Sequence, residues 1–171
     1  MFPIESFRKT LLKIVDILRR YEIPFHLTGG VTGVAYGEPR MTQGIDIVLS
    51  NEATRKRLDG LLATLVESDF LFDRDAIESA VDRKKMFQLF DAVESLKIDM
   101  YPREMIPGEL SRSVEVEIFD QVKLPIVSKI DAAASKLVWI DKGSHKSRRD
   151  LRQIARTVSY THLTLPTICS V

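Results

Sequence analysis

Apolar and polar residues alternate at two periods along this chain, and each change of period marks an element. From Glu5 to Tyr21, Phe7, Leu11, Ile14, Val15 and Leu18 recur at three- and four-residue steps with Arg8, Lys13, Asp16 and Arg19 between them. That spacing predicts a surface helix with one buried stripe. Pro24 stops it, and Phe25-His26-Leu27 predicts a short strand ending at Gly29-Gly30. A short helix over Val31 to Tyr36 follows, then a break at Gly37-Glu38-Pro39 and an apolar strand from Ile45 to Leu49 that carries Asp46. Asn51 reads as the N-cap of a helix over Glu52 to Val66, with Leu58, Leu61, Leu62 and Leu65 at helical spacing.

The second half predicts a short strand at Phe70-Leu71-Phe72, a polar helix near Asp75 to Val81, and a hairpin of Met86 to Phe90 with Leu96 to Met100. Short strands are expected near Val114 to Ile118 and Val122 to Leu124. Ser128-Lys129-Ile130-Asp131 has the form of a capping box opening a helix with Ile130, Ala133, Ala134, Leu137 and Ile140 on one side. Ser147-Arg148-Arg149-Asp150 repeats the signal for a last helix through Leu151, Ile154 and Val158. From Ser159 the helical pattern stops, and residues 159–171 read as a non-native tail resembling a translated sequencing-adaptor remnant, or else a natural extended tail. His162 and Cys169 therefore carry no functional argument. The expectation is one α+β (α/β) unit: a sheet-bearing domain over 1–125, a C-terminal helical segment of the same unit over 126–158, and the tail.

Composition narrows the partners. The 171 residues are 44% hydrophobic, enough for one sizeable core. Lys and Arg number 25 against 24 Asp and Glu, a net charge of +1, so attraction to nucleic acid must come from a local patch. The run Lys142, His145, Lys146, Arg148 and Arg149 is the candidate for such a patch. A single cysteine excludes an internal disulfide and a cysteine-based zinc site. With no secretory leader pattern and no apolar run near the ~20 residues of a membrane span, the expected compartment is the cytoplasm.

The candidate chemistry lies between Leu27-Thr28-Gly29-Gly30-Val31-Thr32-Gly33 and Arg40-Met41-Thr42-Gln43-Gly44-Ile45-Asp46. A double glycine lets another group approach the backbone closely, and the N-H groups of such a turn suit an anion. Asp46 lies in an otherwise apolar strand, where an unpaired carboxylate would be costly. A second acidic strand position is Asp99, in Leu96-Lys97-Ile98-Asp99-Met100.

This layout closely resembles the signature of the nucleotidyltransferase superfamily, of polymerase beta-like fold. There a Gly-Gly or Gly-Ser pair precedes Asp-x-Asp on the next strand. Lys136-Leu137 and Arg149-Asp150-Leu151 resemble the branch of AbiEii-type toxin nucleotidyltransferases and related proteins. The resemblance implies a mixed sheet flanked by helices and transfer of a nucleoside monophosphate from a nucleoside triphosphate to a protein hydroxyl or an RNA end such as tRNA. It implies Asp46 and Asp99 as catalytic and metal-ligating residues for Mg2+ or Mn2+. Gly29, Gly30, Thr32, Arg40, Thr42 and Lys136 would hold the nucleotide. A separate antitoxin protein is the partner implied by the toxin branch. His26 reads as a packed histidine, and Asp150 as the third residue after a cap.

Gly44 stands where the pattern has its first aspartate. Glycine offers no side-chain ligand, so impaired catalysis is expected. Two origins stay open: a pseudoenzyme that keeps its scaffold to bind nucleotide or a partner, or a sequence error or drifted copy one base change from aspartate.

Overall fold

The computed structural model describes residues 4–36 and 44–162. Its elements are α1 (Ile4–Arg20), β1 (Phe25–Thr28), α2 (Val31–Tyr36), β2 (Gly44–Leu49), α3 (Asn51–Val66), β3 (Phe70–Leu71), α4 (Arg74–Arg83), β4 (Phe87–Asp91), β5 (Leu96–Tyr101), a 3-10 turn (Glu109–Arg112), β6 (Val114–Phe119), β7 (Val122–Ile126), α5 (Lys129–Asp141) and α6 (His145–His162). The strands form one mixed sheet in the order β3-β4-β5-β2-β1-β7-β6. β2 runs parallel to β5, and β1 parallel to β7, while the remaining neighbours are antiparallel.

Alternation along β4 and β5 puts Phe87, Leu89, Leu96, Ile98 and Met100 on a buried face, where they join Leu27, Ile45 and Ile47. The predicted stripe of α1 and the leucines of α3 cover that face, and Ile77 and Val81 of α4 complete it. The opposite face is left for polar chemistry. Among the described residues, no helix is long and apolar enough to cross a membrane.

A buried carboxylate ties the hairpin to α1. Asp91, fully buried, accepts from Thr10 Oγ1 at 2.8 Å, from Lys13 Nζ at 3.2 Å and from the amides of Val93 and Glu94 at 3.0 and 3.1 Å. Burial opposes its charge, but these donors win and hold its pKa below the ordinary value.

Three local readings are corrected. Ser50, not Asn51, caps α3 by accepting from the Ala53 amide, because the Asn51 side chain instead donates to the Val81 carbonyl at 2.8 Å. α6 begins at His145, where Ser144 Oγ accepts the Ser147 amide, so the cap lies three residues before Ser147. Its backbone also continues past Val158, to His162.

The third correction concerns α5, where two residues of the expected apolar side, Ile130 and Leu137, point outward while Ala133, Ala134 and Ile140 are half-buried. Ile130 is 80% and Leu137 56% exposed, whereas Asp131, Ala132 and Ser135 are buried. The reason is pairing: Arg112 Nη2 and Nε hold the Asp131 carboxylate at 2.8 and 3.0 Å, and Ser128 caps the helix through the Asp131 amide. This polar anchorage outranks the helix's weak amphipathicity. Ile130→Gln is accordingly expected to change stability by no more than about 0.5 kcal/mol in urea unfolding, a surface-like effect.

Candidate active site

The open face of the sheet is organised by two registers. Antiparallel pairing sets Thr28 of β1 opposite Asp46 of β2, so the turn after β1 closes directly over the Asp46 side chain. Gly29 has φ +65°, and a Cβ placed there would overlap Asp46 Oδ2 and lie 2.6 Å from its Cγ. Only glycine fits that position. The Gly30 amide donates to the Asp46 carboxylate. Thr32 is buried and its hydroxyl donates to the Gly29 carbonyl at 2.6 Å, which braces the turn.

On the other side of β2, parallel pairing sets Asp46 beside Asp99 and Gly44 beside Lys97. Period two then puts Lys97, Asp99 and Tyr101 on the same open face. Gln88 Nε2 donates to Asp99 Oδ1 at 2.9 Å, and Lys97 Nζ lies 3.0 Å from Asp99 Oδ2. The Tyr101 hydroxyl points at Asp46 Oδ1 from 3.5 Å. Burial, then the neighbouring Asp99 charge, raises the Asp46 pKa; the Gly30 amide, Lys136 and Lys97 oppose that rise. Tyr101 is raised too, by burial and by the two carboxylates, and stays protonated as a donor.

α5 and α6 form the facing wall. Lys136 Nζ pairs with Asp150 Oδ2 at 3.3 Å, both largely buried, and Trp139 and Ser147 stand beside them. Arg103, Met105 and Glu109, from the segment after β5, complete a cleft of ≈ 220 Å³ that also takes in Gly29, Gly30 and Asp46.

His26 is a packed residue. It is fully buried, its Nδ1 lies 2.8 Å from Ser113 Oγ, and burial lowers its pKa to about 4. Its Nε2 has no hydrogen-bond partner among the described residues and lies 3.8 Å from Glu109 Oε2. Glu109 accepts the Met105 amide at 2.6 Å, and burial raises its pKa. The group holds the loop after β5 against β1.

The structure therefore brings Gly29, Gly30, Asp46 and Lys136 into one cleft, with Asp99 in register beside Asp46. Arg40 and Thr42 lie outside the described residues. Tyr101, Trp139, Arg103 and Glu109 were not anticipated. Of these only Tyr101 had a sequence signal, two residues after Asp99 on a strand. Among the described residues, no group of three or more His, Cys, Asp or Glu is placed to hold a metal ion. Asp46 and Asp99 are the two carboxylates that strand register sets side by side, and Gln88 and Lys97 already engage Asp99.

No family model matches the chain, and no curated protein matches it by sequence. Solved structures do resemble it. The antibiotic-resistance factor ANT(2'')-Ia superposes with a TM-score of 0.58 at 13% identity, covering 92% of this chain and 86% of that one. The lincosamide antibiotic adenylyltransferase LnuA, solved with lincomycin bound, gives 0.54 at 15% identity, covering 86% of this chain and 95% of its own. A Thermotoga maritima protein assigned to the nucleotidyltransferases gives 0.53 at 16% identity, covering 91% and 96%. The chain thus has a nucleotidyltransferase-like fold, a mixed sheet flanked by helices.

Proposed function

We propose that this cleft binds the triphosphate of a nucleoside triphosphate and that the protein is built to transfer the nucleoside monophosphate to a hydroxyl of a protein or an RNA end. The observation that carries this reading is the Gly29-Gly30 turn closed over Asp46, with Asp99 in register beside it. The glycine turn and Lys136 would receive the phosphates, Lys136 exchanging Asp150 for phosphate oxygen. Asp46 and Asp99 would hold one magnesium or manganese ion, which when bound neutralises phosphate charge. Asp99 would hold the ion or else accept the acceptor hydroxyl's proton. Tyr101 fixes the Asp46 carboxylate through its hydroxyl. Lys142, His145, Arg148 and Arg149 are exposed at the corner between α5 and α6, beside the cleft wall, which favours a polyanionic acceptor such as tRNA.

Gly44 favours a second reading, a nucleotide-binding module with little or no transfer. Losing one carboxylate commonly costs orders of magnitude in rate, each tenfold being about 1.4 kcal/mol of barrier. The AbiEii-like reading adds toxicity on expression and neutralisation by an antitoxin protein.

The test is calorimetric titration of the natural chain and Gly44→Asp with ATP, GTP, CTP and UTP in magnesium, followed by triphosphate-dependent labelling of RNA and protein acceptors. A Cβ at 44 lies 3.0 Å from the Lys97 carbonyl, so β2 must ease slightly away to admit aspartate. Both proteins are expected to bind a triphosphate, the variant with about tenfold tighter magnesium-dependent affinity and faster labelling. If neither binds any triphosphate while both stay folded, the reading is wrong.

A further inference from the structure

We propose that Lys97 is a built-in cation for the Asp46–Asp99 pair, its ammonium standing against Asp99 until a divalent ion displaces it, so that the cleft holds nucleotide phosphates even before metal binds. The inference rests on the triphosphate reading of the cleft. Two carboxylates side by side on adjacent strands repel each other and need a counter-charge. Lys97 supplies it: Nζ lies 3.0 Å from Asp99 Oδ2, and its charge also stabilises ionised Asp46.

Gly44 is the register partner of Lys97, and a Cβ on Gly44 would lie 3.7 Å from Lys97 Cε, in ordinary contact with its stem. Glycine puts no carboxylate of its own beside the ammonium, which pairs with Asp99 instead. Lys97 remains 47% exposed, so the ammonium keeps donors free for an incoming phosphate. Lys136, on the facing wall, is the second cation for the same phosphates.

An ordinary surface ion pair between Lys97 and Asp99 would have no bearing on nucleotide binding, so the two cases separate on affinity. ATP binding is measured for the natural chain, Lys97→Met, Lys97→Arg and the distant control Lys123→Met, each in excess EDTA and in magnesium, with thermal unfolding as the check on folding. The natural chain and Lys123→Met are expected to bind ATP in EDTA, and magnesium to change their affinity by less than about threefold. Lys97→Met should lose about tenfold or more in EDTA and recover in magnesium, because the vacated carboxylates then accept the ion; Lys97→Arg should bind as the natural chain does. ATP binding by the natural chain only in magnesium, or unchanged binding by Lys97→Met in EDTA, overturns the role of Lys97 but leaves the triphosphate reading standing. No ATP binding by any variant in either condition overturns both.

Discussion

Gly29→Ala is expected to lose ATP binding by about a hundredfold or more, the largest effect of any single methyl group in the cleft. Two costs combine at this position. The backbone sits at φ +65°, where an L-residue costs about 1–2 kcal/mol. The added Cβ would also overlap Asp46 Oδ2, forcing the carboxylate off the Gly30 amide and away from the Tyr101 hydroxyl. A buried carboxylate stripped of its donors costs roughly 1–3 kcal/mol or more on its own. Gly143→Ala separates the two costs, since Gly143 has φ +90° with nothing within 4 Å of its Cβ position. That control should show a loss of stability with ATP affinity nearly unchanged. ATP titration beside thermal unfolding reads both, and a Gly29→Ala protein that binds ATP within threefold of the natural chain would show that the turn does not govern the cleft.

Asp91→Ala is expected to cost about 3 kcal/mol of folding stability, read as a lowered urea midpoint at neutral pH. The substitution removes the acceptor of Thr10, Lys13 and two turn amides together, so the link between α1 and the β4–β5 hairpin fails as a unit. The pH dependence has a definite sign. Because the folded pKa of Asp91 is depressed, its ionised form stabilises the native state above the unfolded value of about 3.9, and that stability is lost as pH falls through the folded value. Asp91→Asn should flatten this acid limb relative to the natural chain. An unchanged limb would assign the acid sensitivity to other carboxylates.

Local patterns foretold most elements, because period and turn chemistry act within a dozen residues. The stripe of α1, the glycine turn and the alternation of β5 could all be read that way. What local patterns could not reveal was adjacency across the sheet, which for Asp46 and Asp99 only the family resemblance implied. Asp46 and Asp99 are fifty-three positions apart, and only the parallel pairing of β2 with β5 makes them neighbours. The same pairing sets Lys97 opposite Gly44. The side of α5 that faces inward was hidden for a related reason: Asp131 is drawn in by Arg112, nineteen residues upstream, and no helical period encodes that partner. Asp91 sat in a segment that read only as a hairpin connection, since its side-chain donors, Thr10 and Lys13, come from α1.

The strand order has a consequence for how the chain emerges from a ribosome. Once Tyr101 has been made, β3, β4, β5, β2 and β1 are all present and contiguous in the sheet, so the two carboxylates can already lie side by side. The far edge of β1 stays bare until Ile126 arrives to pair with Leu27, an unpaired strand edge carried through synthesis of the intervening residues. Lys136 and Asp150 come later still. The acidic floor of the cleft is thus assembled during translation before its basic wall, and over that interval Lys97, beside Asp99 in sequence, is the cation already at hand.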